Sequence, residues 1–117
     1  MSSHFLCHNK DLAELQSLGF TVETEQGLLE LFLVRQDDKV QAYQNHCPHL
    51  GIPLNWQPDQ FLSLEGLHIQ CSTHGALFNV DDGHCIVGPC VGQNLITLPI
   101  EHRDDEIWLA LTGPINI

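Results

Sequence analysis

Basic residues are scarce: four Lys and Arg stand against fifteen Asp and Glu in 117 residues, a formal net charge of −11 with the histidines neutral. A chain so acidic is repelled by phosphate backbones and anionic lipid surfaces, which excludes sequence-independent nucleic-acid binding. Long apolar runs are also missing. The longest, Leu28 to Val34, is interrupted by Glu30 and falls far short of the roughly 20 residues that span a bilayer, so no membrane anchor is expected. The N-terminus has neither a basic leading region nor a sustained apolar stretch, so no export signal is expected and a cytoplasmic location is. Charged residues make up 16% of the chain and apolar ones 43%, which suits one globular domain over 1–117 better than a disordered segment. What the chain has in excess is soft ligands, with eight histidines and five cysteines. In a reducing compartment such residues point to metal or catalysis before structural disulfides.

Short apolar stretches punctuated by turn signals predict an all-β fold of antiparallel strands. They run Phe20 to Glu23, Leu28 to Arg35 and Val40 to Gln44, then Phe61 to Leu64 and Leu67 to Gln70. Further stretches follow at Leu77 to Val80, Cys85 to Val87, Leu95 to Glu101 and Glu106 to Leu111. Turns are expected at Gln26-Gly27, Asp37-Asp38, Glu65-Gly66, Asp82-Gly83 and Asp104-Asp105. Lys10 to Leu18, with Leu12, Leu15 and Leu18 at three-residue spacing, reads as a short helix or turn, and the residues before it as weakly structured. No stretch is periodic enough for a crossover helix, so a small sandwich or barrel is expected rather than a βαβ fold.

Two loops interrupt the strands. One is Cys47-Pro48-His49-Leu50-Gly51, the other Cys71-Ser72-Thr73-His74-Gly75, with 21 residues between His49 and Cys71. Each offers one thiolate and one imidazole, half of a metal site. Two sulfurs can hold one iron of a 2Fe-2S cluster and two imidazole nitrogens the other. The same four donors could instead bind zinc tetrahedrally, although zinc sites favour pairs two to four residues apart, usually of cysteines.

The pattern C-x-H, then C-x-x-H, with a glycine just past each histidine, resembles the Rieske motif. Phe78, Gly83 and the Gly88-Pro89 turn are similar to the rest of a Rieske cluster-binding subdomain, here about 44–90 of the chain. The resemblance implies an antiparallel β-sandwich carrying one 2Fe-2S cluster on Cys47, His49, Cys71 and His74. It also implies outward-facing ligand imidazoles, with a potential that falls as pH rises through their titration. Two thiolates leave the oxidised core roughly neutral, so it accepts an electron more readily than a four-cysteine cluster, within about −150 to +300 mV. Respiratory Rieske proteins add a cysteine to each loop and a serine after the second His-Gly. Ile52, Thr73 and Ala76 stand at those positions here, so the resemblance is to the ferredoxin branch and implies the lower end of that window. It implies a soluble one-electron carrier between a reductase and an acceptor such as an oxygenase, without a substrate site of its own. With 43 residues after His74, no catalytic iron domain is expected. An accessory or regulatory module of a larger complex is the alternative, and a structural zinc-binding domain the more remote one. The acidic surface predicts a basic docking patch on the redox partner.

The remaining soft ligands receive plainer readings. Cys85 and Cys90 could be a disulfide or a second half-site, and buried free thiols are expected for the compartment. Gly88-Pro89 between them resembles the loop that covers a Rieske cluster and excludes water. Cys7 has no nameable partner. His46 is expected to be solvated or to sit behind the ligands, and His4, His8, His68, His84 and His102 to lie at the surface. Trp56, Phe61 and Phe78 are expected in the core before the cluster lining.

Overall fold

Within the run Leu28 to Val34, the stretch Leu31 to Val34 is continuously apolar because it faces two cores at once. In the computed structural model, which describes residues 2–14, 16–24, 27–46, 54, 59, 61–63, 68–71 and 75–111, this run lies in the third of ten strands. The strands are β1 (Ser2–His8), β2 (Ser17–Thr24), β3 (Gly27–Gln36), β4 (Lys39–Gln44), β5 (His68–Gln70), β6 (Leu77–Asn79), β7 (Cys85–Val87), β8 (Thr97–Leu98), β9 (Ile100–Arg103) and β10 (Glu106–Leu111). They form three antiparallel sheets ordered β1-β10-β9, β2-β3-β4-β8 and β5-β6-β7. The all-β reading holds: among the described residues the one helical piece is a 3-10 turn, Asn9–Asp11.

The middle sheet separates two hydrophobic cores. Alternate residues of β3, Leu29, Leu31 and Leu33, join Leu6, Cys7, Leu12, Ala42, Leu98, Ile107, Leu109 and Leu111 against the first sheet. Phe32 and Val34 point the other way, into a core shared with Tyr43, Leu54, Phe61, Ile69, Phe78, Val80 and four small residues, Cys71, Ala76, Cys85 and Cys90. Side chains alternate across a strand, so a strand covered on both faces loses its polar half, as β3 has. Phe61 and Phe78 are therefore core residues, as expected. Phe61 stacks on Phe32 with ring centroids 4.3 Å apart, a contact worth about 0.5–1.5 kcal/mol beyond its buried area. Trp56 lies outside the described residues.

Three segments differ from the sequence expectation. The N-terminus is not weakly structured but forms β1, paired with β10 from Ser2 opposite Leu111 to His8 opposite Glu106. Of Lys10 to Leu18, read as a short helix or turn, the start lies in a 3-10 turn that ends at Asp11 and the end in β2, which begins at Ser17. Buried Arg35 ties this connection down, its Nε donating to the Leu12 carbonyl at 2.7 Å and its Nη2 to the Asn9 side chain. Leu95 to Glu101 is two strands in two sheets. β8 pairs with β4, β9 with β10, and Pro99 between them supplies no N–H to either ladder. Of Phe61 to Leu64, the described part makes an isolated bridge, Leu62 to Ile69, beside β5.

Candidate metal centre

The two ligand loops leave the scaffold at strand ends, and the backbone hydrogen bonds flanking each loop close its base. β4 ends at Gln44, where the Asn45 N–H donates to the Glu30 carbonyl at 2.8 Å. The Asn45 side-chain oxygen then accepts the Leu54 N–H at 2.7 Å, so the two flanks of the first loop are tied across nine residues. Cys47, His49 and Gly51, on the span between those flanks, lie outside the described residues. The second loop hangs from the β5–β6 hairpin, whose last pair is Gln70 with Leu77. The Cys71 N–H donates to the Ala76 carbonyl and the Gly75 N–H to the Cys71 carbonyl, both at 2.9 Å. Gly75 has φ +66°, a left-handed backbone that favours glycine, and among the described residues nothing lies within 4 Å of a Cβ placed there. His74 lies outside the described residues.

Cys71 is therefore the one expected ligand that the structure describes. It is a free thiol, fully buried, in the same core as Leu54 at the base of the first loop. The bases of both loops thus meet on one core, although their sequence positions are well apart. Among the described residues no three His, Cys, Asp or Glu side chains gather into a cation site. A buried thiol without a disulfide partner, at the mouth of a loop closed around a left-handed glycine, fits a cluster that takes soft sulfur from the protein. Ala76 is buried just past this loop. Its methyl side chain has no hydrogen-bond donor.

A third segment bears on the same loop. Val87 of β7 pairs with Leu77, and Gly88 follows directly. Gly88 has φ +105°, and a Cβ on it would come within 2.9 Å of the Ala76 Cα. The Gly88-Pro89 turn therefore lies on the backbone of the Cys71 loop at a distance that glycine alone permits. Cys85 and Cys90, expected as free thiols, are joined as a disulfide with Cα atoms 6.0 Å apart. The expectation rested on compartment, whereas β7 and the turn after it bring the two residues to a spacing normal for the bond.

The other histidines divide by environment. His8 and His102 are exposed, as expected of surface groups, whereas His4, His46, His68 and His84 are half-buried. His84 Nδ1 lies 2.5 Å from the Asn94 side-chain oxygen, and its N–H donates to Asp82, which closes the β6–β7 turn. Cys7 is a free thiol in the other core, where burial first, and then Asp11, push its pKa up against the opposing effect of Arg35. Such a thiol packs as a small hydrophobe. Arg35 itself carries no signal in the sequence that marks it as buried.

Comparison with known proteins agrees with this arrangement. The chain is 32% identical over 82 residues to apoptosis-inducing factor 3 of Homo sapiens, a match that spans 67% of this chain and 11% of that protein. In structure it is similar to the terminal oxygenase of carbazole 1,9a-dioxygenase from Nocardioides aromaticivorans IC177, with TM-score 0.75 and 21% identity, covering 97% of this chain and 31% of that one. It is also similar to the ferredoxin of the same organism's carbazole 1,9a-dioxygenase, with TM-score 0.70 and 22% identity over 96% of this chain and 100% of the ferredoxin. At those identities the structural likenesses establish the fold alone. Residues 2–101 match the Rieske [2Fe-2S] domain, so the chain belongs to the Rieske family and its cofactor is a 2Fe-2S cluster.

Proposed function

We propose that the chain is a one-electron carrier whose cluster is held by Cys47, His49, Cys71 and His74, within a cluster-binding subdomain of about 44–90. It would receive electrons from a reductase and deliver them to an oxygenase-type acceptor. The observation that carries the reading is the convergence of both loop bases on the core that contains Cys71. When bound, the cluster held by these residues would supply one-electron transfer. The chain's own contribution is to bury the Cys71 sulfur, to seat the Gly88 turn against the loop and keep water from that side, and to hold both loops closed at Asn45 and Ala76. The likeness to a ferredoxin over its whole length supports a carrier, and the acidic surface supports a partner with a basic docking patch. Among the described residues no helix is long and apolar enough to cross a membrane.

The match to a segment of apoptosis-inducing factor 3 favours a second reading, in which this domain acts as a module of a larger assembly. Rapid reduction by a flavin reductase and turnover with an oxygenase support the carrier. Stoichiometric co-purification with one enzyme and no electron transfer supports the module. For the ligand set, Cys71→Ser should abolish the visible absorption and the low-g EPR signal of the reduced protein while the β-sheet circular dichroism persists. Full retention of both signals would remove Cys71 from the site.

A further inference from the structure

The proposed function uses neither Cys85 nor Cys90, yet the two sit where they can act on the site. Both are buried, at 0% and 1% exposure, in the core that holds Cys71 and Ala76. The residues around them are not: Ile86 to Pro89 and Val91 to Asn94 are all exposed, Val91 at 61%. Few apolar contacts thus hold this segment down. Besides the disulfide, the pairing of β7 with β6 and the His84–Asn94 bridge, it is fastened by local backbone bonds, from the Cys85 N–H to the Gln93 carbonyl, the Val91 N–H to the Gly88 carbonyl, the Gly92 N–H to the Cys85 carbonyl and the Gln93 N–H to the Cys90 carbonyl. Segments with little burial and exposed hydrogen bonds are the first to open. The disulfide closes the turn that places Gly88 on Ala76, and the Ala76 carbonyl in turn holds the Cys71 N–H. One covalent bond therefore stands two residues from the cover of the Cys71 loop. In a reducing compartment, disulfides that do form are usually transient ones that sense or transfer redox state.

We propose that Cys85 and Cys90 form a second redox site of this protein, a two-electron disulfide opened by dithiol reductants, whose state sets how firmly the Gly88 turn is held on the Cys71 loop. The second half of this statement rests on the assignment of the Cys71 loop to the cluster; the first half does not. Reduction proceeds by thiol–disulfide exchange. A thiolate of the dithiol attacks Cys90, whose neighbours Pro89 and Val91 are exposed, whereas Cys85 is fixed in the ladder opposite Phe78. The Cys85–Cys90 bond breaks and a mixed disulfide forms at Cys90. The reductant's second thiol then attacks the reductant's own sulfur in the mixed disulfide, the bond to Cys90 breaks, Cys90 is released as a thiolate that takes up a proton, and the reductant leaves as its internal disulfide. Two electrons and two protons have then passed to the protein, which carries two thiols. Both sulfurs are buried, so the exchange waits on opening of the turn.

The test uses the cluster-loaded protein in native buffer, with and without dithiothreitol, followed by alkylation and mass spectrometry of the peptide that contains Cys85 and Cys90. Two alkyl groups should appear after dithiothreitol and none before it. On reduction, hydrogen exchange at the Gly92 and Gln93 amides should speed up by about tenfold or more. A Cys85→Ser/Cys90→Ser variant should exchange fast in either condition. Alkylation of both thiols in unreduced, air-exposed protein would overturn the proposal, as would a disulfide that resists dithiothreitol in native buffer or whose reduction leaves the exchange rates unchanged. The wild-type measurements stand even if the double variant does not fold. A colourless preparation with the expected alkylation and exchange would support the disulfide site and count against the cluster assignment.

Discussion

Tyr43 is the chain's one tyrosine, and it shows how a single polar atom is carried into the core beside the site. Its ring is fully buried and tilted against Phe32, and its hydroxyl donates to the Val80 carbonyl at 2.6 Å. Gly83 is constrained by the same ring, since a Cβ there would meet Tyr43 Cε1 at 2.8 Å. Burial, and then the carboxylates of Asp82 and Asp81, hold the phenol pKa well above its ordinary value of 10. The folded protein therefore keeps this proton at pH values where the unfolded chain releases it. The stabilisation is complete below pH 10 and declines as pH rises above it, by up to about 1.4 kcal/mol per pH unit. Tyr43→Phe should cost about 1–2 kcal/mol at neutral pH, because the buried Val80 carbonyl loses its donor. The gap between wild type and variant should then narrow above pH 10. Urea midpoints measured at neutral and strongly alkaline pH check this, and a gap independent of pH would refute the linkage.

At the scale of elements, the β3–β4 hairpin shows a turn built from residues that fit it poorly. Gln36 pairs with Lys39, which leaves Asp37 and Asp38 as a two-residue loop with φ +54° and +62°. That is the geometry in which Asn-Gly is favoured. Two adjacent aspartates are held in it because Glu14 accepts both their N–H groups, at 2.7 and 3.0 Å. Replacing them through Asp37→Asn and Asp38→Gly relieves backbone strain and carboxylate repulsion around Glu14. It gives up the contact of Asp38 with buried Arg35 at 3.3 Å, which solvent weakens because the Asp38 carboxylate is fully exposed. The variant should gain about 0.5–1 kcal/mol, read as a higher urea midpoint with unchanged slope. A lower midpoint would mean that the Arg35 contact outweighs the strain. The same hairpin was legible from sequence, because a long apolar run and a turn signal coincide there. β1 was not, since a register shift between Phe5 and Cys7 buries Leu6 and Cys7 in succession and breaks the period of two. The division of β8 from β9 was hidden for a different reason: Pro99 lies within a run that looks continuous, and the change of partner strand is a tertiary choice. For the site, the spacing of cysteines and histidines within two loops pointed to four ligands, of which the structure describes Cys71. The Cys85–Cys90 bond could not be read from sequence, because nothing in the composition states which residues a turn will bring within 6.0 Å.

At the scale of the whole molecule, the charge excess is more one-sided than the count suggests. Of the four cations, Arg35 is buried beneath the N-terminal turn, and Arg103 lies over the Trp108 ring, 4.6 Å from its centre, with Glu101 beside it. The acidic pairs stand at turns, where they face solvent. Asp37 and Asp81 line one surface depression of about 120 Å³, which brings the turns of two sheets together. The Asp81-Asp82 turn joins β6 to β7 in the sheet that carries the Cys71 loop, whereas Asp104-Asp105 joins β9 to β10 in the first sheet. If the carrier docks with its site toward a basic partner, the turn on its own sheet should contribute more to the encounter than the turn on the other. Raising salt from about 0.02 to 0.2 M should slow association with a reductase or oxygenase by about tenfold, with a smaller change in dissociation. Asp81→Asn should lower the low-salt association rate more than Asp104→Asn, although each removes one unit of charge. Stopped-flow reduction kinetics at two salt concentrations separate these outcomes. Equal effects of the two substitutions would show steering by net charge alone, and an association rate insensitive to salt would mean that the −11 serves solubility rather than partner encounter.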